Sequence, residues 1–236
     1  MSKFKSSDPD RLDSLSPAEG ERFVGTGKVI KLRNHQPLAM KTIIPHRQVR
    51  GNGRAAFFLN FLRRPSLIGS VIPSSRFLER RIVETARIAQ SHIVVELGPG
   101  TGGTTRAILE ALPRRAQLLA IEINPAFVPY LKAHPDPRLS VYLGSAEHIR
   151  KALEACDHRR PDAVVSGIPF STMPAEIGRK ILREIWDCLA PGGRFVTYQL
   201  MSRVALLEPL LLGDPDVQLE YLNLPPLRVY SWRKPA

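Results

Sequence analysis

His92-Ile93-Val94-Val95-Glu96-Leu97-Gly98-Pro99-Gly100-Thr101-Gly102-Gly103 is the stretch that decides the fold. Residues 92–98 are a short apolar run holding one acid, the pattern of a strand buried on both faces. Glycines at alternate positions follow, and TTRAILEAL at 104–112 has helical spacing. A strand that turns on glycines into a helix opens a βαβ unit. Gly98 permits the tight turn and Gly100 the close approach of a ligand to the backbone, while Gly102 lets the helix pack on the strand.

The alternation continues downstream. QLLAIEI (117–123), LSVYLG (139–144), PDAVVSG (161–167) and RFVTYQL (194–200) read as strands. Helices are expected between them at 127–132, at 146–154 and from Pro174 onward, where proline suits a first turn. Ile177, Ile181, Ile185, Trp186 and Leu189 give that last helix its apolar stripe, and Pro191-Gly192-Gly193 stops it. The tail holds a further helix at 202–212 and two strands near 216–222 and 227–232. The pattern predicts an α/β fold: a doubly wound, Rossmann-like, mostly parallel seven-stranded sheet with N-terminal helices.

Upstream the text changes character. Residues 1–50 show neither a 3.6 nor a 2.0 period and read mostly as a flexible basic arm. Phe23-Val24 and Ile43-Ile44 are short apolar pieces able to dock locally. Residues 51–90 form a second unit and 91–236 the ligand-binding domain. Within 54–64, Phe57, Phe58, Phe61 and Leu62 fall at helical spacing, bracketed by Arg50, Arg54, Arg63 and Arg64. This suits a helix lying in an anionic membrane surface, or equally an amphipathic helix lidding the core. A further helix is expected over 75–90, capped by Ser74 or Ser75.

The formal charge is +12, and residues 1–90 carry seventeen Lys/Arg against seven Asp/Glu. A front-loaded positive field suits a polyanionic partner, either anionic membrane or nucleic acid, although a solvated arm without a partner has the same composition. No transmembrane span or secretory signal is expected. Cys156 and Cys188 make neither a disulfide framework nor a metal site, and no metal is expected; a cytoplasmic protein is the simplest reading.

The glycine turn reads G-x-G-x-G, and Glu96 sits two residues before it. That carboxylate repels a pyrophosphate and attracts the ammonium of a methionine moiety, which shifts the reading from NAD to S-adenosyl-L-methionine. Glu122 ends the second strand and can accept both ribose hydroxyls. Ile123 can pack on the adenine, and Ser145-Ala146 follow the third strand where the adenine edge lies. A strand, turn, helix and second acid-ended strand together point to a class I methyltransferase. Ligands in such sheets sit at the carboxyl ends of the strands. The loop Ser166-Gly167-Ile168-Pro169-Phe170 is therefore placed beside the methyl donor, with Ser166 on the cofactor side. Gly167 stands where an enzyme acting on base amino groups would carry Asn. Phe170 offers a ring face to a methylated ammonium, or is ordinary core.

Gly69-Ser70-Val71-Ile72-Pro73-Ser74-Ser75, VVELGPGTG at 94–102, the 166–170 loop and Asn223-Leu224-Pro225-Pro226 resemble bacterial phospholipid N-methyltransferases of the soluble, sheet-containing type over about residues 55–234. The resemblance implies methyl transfer to the amine of phosphatidylethanolamine, towards phosphatidylcholine, or to a related aminolipid such as an ornithine lipid. It also implies peripheral attachment to the inner face of the cell membrane. Ser74, Ser75, Gly167, Pro169 and Phe170 are the candidate acceptor residues. A primary ammonium has a pKa of roughly 10, so the amine must lose a proton before attack. Tyr142, His148 and Tyr198 lie near strand ends, and none is assigned as the base. Two other readings remain: an rRNA or DNA adenine-N6 methyltransferase, supported by the basic arm and opposed by Gly167, and a non-catalytic membrane- or RNA-binding module, opposed by the intact Glu96, glycines and Glu122.

Overall fold

The computed structural model of the chain describes residues 27–29, 42–45, 74–200 and 202–236. Five parallel strands form its centre: β3 (Ile93–Leu97), β4 (Gln117–Glu122), β5 (Leu139–Leu143), β6 (Ala163–Ser166) and β7 (Arg194–Gln199). β8 (Asp216–Glu220) and β9 (Leu227–Arg233) close one side, with β9 antiparallel to β7. These are the seven strands expected from the sequence. On the other side, β2 (Thr42–Pro45) pairs parallel with β5, and β1 (Gly27–Val29) pairs antiparallel with β2. The sheet order is β1-β2-β5-β4-β3-β6-β7-β9-β8.

The two extra strands fall inside residues 1–50, where no period was legible. Strands of three and four residues are too short to establish a period, and Ile43-Ile44 is the apolar pair within β2. Phe57, Phe58, Phe61, Leu62, Arg63 and Arg64 lie outside the described residues.

Val94 and Val95 are consecutive in β3, and both are fully buried. Consecutive side chains point to opposite faces, so such a strand needs a layer on each side. α1 (Arg76–Thr85), α2 (Gly103–Ala111) and α3 (Val128–Lys132) cover one face through Leu78, Ile82, Ile108 and Leu131. α4 (Ile149–Ala155) and α5 (Ala175–Cys188) cover the other through Ile149, Leu153, Ile181 and Ile185. Strand order reverses at β3, which has β4 on one side and β6 on the other. That reversal opens the crevice in which ligands of open α/β sheets bind.

Three helices differ from expectation: the one expected over 146–154 opens as a 3-10 turn at Ala146–His148 before α4. α1 ends at Thr85, because Arg87 adopts a left-handed backbone with φ 53° before a 3-10 turn at Ile88–Gln90. The 202–212 segment divides into a 3-10 turn at Ser202–Leu206 and α6 (Pro209–Leu212). Pro209 explains the break, since proline disfavours helical backbone in the residue before it.

α1 is tied to the β8–β9 hairpin. Arg81 Nε lies 2.7 Å from Glu220 Oε2, and this hydrogen-bonded guanidinium pulls the Glu220 carboxyl below its ordinary value. The Ser75 N–H donates to Asn223 Oδ1 at 2.9 Å, and Asn223 Nδ2 donates to the Pro225 carbonyl at 2.9 Å. Asn223 is 1% exposed, so its asparagine-leucine-proline-proline segment serves as a clamp on the start of α1. Asn223→Ala leaves both partners unsatisfied and is expected to lower stability by about 1–3 kcal/mol, measured by urea unfolding.

Candidate functional site

The crevice begins at the glycine turn. Gly98, Gly100 and Gly102 all have positive φ, at 69°, 57° and 90°, the region open to glycine and costly for other residues. The space around them differs. A Cβ on Gly98 would meet Ile168 Cγ1 at 3.2 Å, and one on Gly102 would meet Leu131 Cδ2 at 3.4 Å. A Cβ on Gly100 meets nothing within 4 Å among the described residues. Gly98 and Gly102 are therefore close-packed, while Gly100 faces open space in front of the turn.

Two acids stand at the tips of adjacent strands. Glu96 is 2% exposed, and Thr105 Oγ1 donates to its Oε2 at 2.6 Å. Burial, with the neighbouring Glu122 charge, raises the Glu96 pKa to about 8 against the Thr105 hydrogen bond. Glu122 is 4% exposed and accepts from the Gly100 N–H at 3.0 Å and the Asn124 N–H at 2.7 Å. Burial raises its pKa too, and those backbone donors oppose the rise. No ion-pair partner for either carboxylate occurs among the described residues. Two buried carboxylates with no cation paired to them among the described residues, beside the open turn at Gly100, fit a ligand that brings hydroxyls and positive charge. Ile123 is partly exposed at the tip of β4, and Asn124 is buried with its Oδ1 accepting from the Ala126 N–H.

At the β5 tip, Ser145 caps the 3-10 turn Ala146–His148, accepting from the Glu147 N–H at 3.2 Å. Its hydroxyl also contacts Glu147 Oε1, and Ala146 is buried. At the β6 tip, the Ser166 side chain turns inward: it is fully buried and accepts from the Ile168 N–H at 3.2 Å. Its hydroxyl stiffens the loop instead of facing the crevice. Gln199, which the sequence reading passed over, donates to the Ile168 carbonyl at 2.7 Å and to Thr197 Oγ1 at 3.1 Å. The loop is thus held from both β6 and β7.

The acceptor candidates divide. Gly167 and Pro169 are partly exposed at the crevice, but Phe170 is 1% exposed and packs in the core with Met173 and Ile181. Its ring is committed to packing. Ser75 is the N-cap of α1, accepting from the Leu78 N–H at 3.2 Å. Ser74 instead hydrogen-bonds the Tyr198 hydroxyl. Of the three base candidates, Tyr142 is a core residue whose ring lies against Gly144, and His148 is exposed ahead of α4. Tyr198 alone borders the 167 loop: its hydroxyl lies 2.7 Å from where a Cβ on Gly167 would stand.

Comparison with known proteins agrees with this geometry. A methyltransferase-domain family model matches residues 94–193. The ornithine lipid N-methyltransferase of Singulisphaera acidiphila is 30% identical over 189 residues, spanning 75% of this chain and 95% of that protein. Ribosomal RNA small subunit methyltransferase A of Phenylobacterium zucineum is 34% identical over 96 residues, only 40% of this chain and 32% of that protein. The N-methyltransferase NodS of Bradyrhizobium japonicum, solved with S-adenosyl-L-homocysteine, shares the fold with a TM-score of 0.55 at 13% identity, covering 78% of this chain and all of that one. Among the described residues no helix is long and apolar enough to cross a membrane. The fold, the acid-flanked glycine turn and these relatives agree: the chain belongs to the class I S-adenosyl-L-methionine-dependent methyltransferases.

Proposed function

We propose that this methyltransferase transfers methyl groups to the amine of a membrane aminolipid, phosphatidylethanolamine or an ornithine lipid. The observation that carries the reading is extent: similarity to an ornithine lipid N-methyltransferase runs over 95% of that protein, whereas similarity to the ribosomal RNA enzyme stops at 32%. Gly167 supports it, because an enzyme for planar base amino groups needs a side-chain hydrogen-bond partner there and glycine has none.

In this reading Glu96 holds the ammonium end of the cofactor. Glu122 takes the ribose hydroxyls, and Ile123 with Ser145 and Ala146 borders the adenine. The sulfonium cofactor supplies an electrophilic methyl, so the protein's task is to place a neutral amine in line with it. Residues 54–64 attach the enzyme to anionic membrane. Reversing charge at Arg63 and Arg64 together is then expected to release the protein from anionic vesicles in a flotation assay, and unchanged flotation sinks that role.

The reading is tested with vesicles containing phosphatidylethanolamine or an ornithine lipid, compared with the same lipids N-acetylated. Labelled methyl is expected in the free-amine lipids alone. Label absent from every lipid refutes the reading.

A further inference from the structure

Gly167 has no side chain, yet the place where one would begin is not empty. A Cβ there would lie 2.7 Å from Tyr198 Oη, 3.4 Å from Tyr198 Cζ and 3.1 Å from the Gly98 carbonyl oxygen. The Tyr198 hydroxyl reaches across from β7 to the tip of β6 and stands where a side chain on the 167 loop would stand. The hydroxyl is held on its other sides. Thr104 Oγ1 lies 3.4 Å away and Ser74 hydrogen-bonds it. Thr104 lies in the first turn of α2 and Ser74 precedes α1, so two segments far apart in the chain hold the one phenol oxygen that β7 carries. Tyr198 keeps part of its surface exposed. Burial, opposed by the Thr104 hydrogen bond, raises its pKa, so the group stays a neutral phenol.

We infer that Tyr198 is the acceptor-binding residue of this enzyme, and that Gly167 is glycine because the Tyr198 hydroxyl occupies its side-chain space. The inference rests on the aminolipid reading above. The phenol donates its own proton to Thr104 or Ser74 and turns a lone pair to the crevice, where it accepts an N–H of the incoming amine. That hydrogen bond aims the nitrogen lone pair at the methyl group. The nitrogen–carbon bond forms as the carbon–sulfur bond breaks, and the bonding pair stays on sulfur. The proton lost by the amine leaves to solvent, so Tyr198 orients the acceptor and is not consumed as a base. A single phenol oxygen suits a tetrahedral amine, which needs one N–H held and otherwise rotates freely. A planar amino group in a base needs an in-plane partner.

The test is a double-mutant cycle on methyl transfer to aminolipid vesicles, with cofactor affinity and melting temperature measured for each variant. Tyr198→Phe keeps the ring and removes the oxygen. It is expected to lower kcat about 30-fold or more, near what losing one positioning contact costs. Cofactor affinity and melting temperature should hold within two-fold and about two degrees. Gly167→Ala meets the hydroxyl at 2.7 Å and the Gly98 carbonyl at 3.1 Å; it is expected to lower kcat comparably, and by a clearly smaller factor when added to Tyr198→Phe, which removes the closer of the two contacts. The inference fails if Tyr198→Phe turns over within two-fold of the wild type, or if Gly167→Ala costs the same in both backgrounds. It also fails if the loss in kcat is matched by a loss in cofactor affinity or stability, since that marks a structural role. A wild-type enzyme that methylates no aminolipid brings down the functional reading and this inference together. Turnover by the wild type with an indifferent Tyr198→Phe brings down this inference alone.

Discussion

Affinity for S-adenosyl-L-methionine is expected to fall about 100-fold as pH is lowered from 8.5 to 6. The cofactor's positive charge is proposed to meet an ionised Glu96, and burial raises the pKa of that group to about 8 in the cofactor-free protein. At pH 6 roughly one molecule in a hundred carries the ionised form, and apparent affinity falls by that fraction. Titration calorimetry across this range checks the prediction. Glu96→Gln should flatten the profile and bind weakly throughout; a wild-type profile that is already flat would remove Glu96 from the cation-binding role. The sign for stability follows from the same shift. Between the ordinary value of 4.5 and about 8, the folded protein keeps a proton that the unfolded chain has lost. Stability of the cofactor-free protein therefore falls as pH rises through that window. Bound cofactor favours the ionised carboxylate and offsets part of the fall.

Gly100→Leu is the second large effect. Among the described residues no atom lies within 4 Å of a Cβ at Gly100, so the first carbon of a leucine side chain meets no clash. Its cost to stability is limited to the left-handed backbone at φ 57°, about 1–2 kcal/mol. The cofactor is expected in that space, so the side chain should abolish detectable binding and methyl transfer while the protein stays folded. Gly102→Leu is the contrast: it meets Leu131 and Thr105 and should cost stability first. Cofactor binding retained by a folded Gly100→Leu would place the ligand elsewhere.

The central sheet and the glycine turn were legible because buried parallel strands are continuous apolar runs and the turn needs glycine at fixed places. Glu96 and Glu122 stand out by position, one two residues before the first glycine and one at the end of the second strand, and their burial without a cation among the described residues adds the physical reason. β1 and β2 were not legible, being too short to show a period. The partners that give the site its character come from distant elements, and spacing could not find them. Thr105 holds Glu96 from α2, Gln199 ties down the 167 loop from β7, and Tyr198 fills the space of Gly167 from 31 residues away. The 166–170 segment shows the limit from the other side. Ser166, Gly167, Pro169 and Phe170 are candidates by position, yet Ser166 is taken up by a loop hydrogen bond and Phe170 by core packing, because which way each side chain turns depends on β7 and α5. The Asn223 segment carried a resemblance before it carried a reason, and its grip on Ser75 supplies one.

Transfer of labelled methyl from S-adenosyl-L-methionine, with total bacterial lipid extract and total RNA offered in parallel to the full chain, tests the central claim most directly. Label is expected in the lipid phase, on an amine headgroup that chromatography then identifies as phosphatidylethanolamine-derived or ornithine-derived. Label confined to RNA would contradict it and restore the adenine reading that Gly167 argues against.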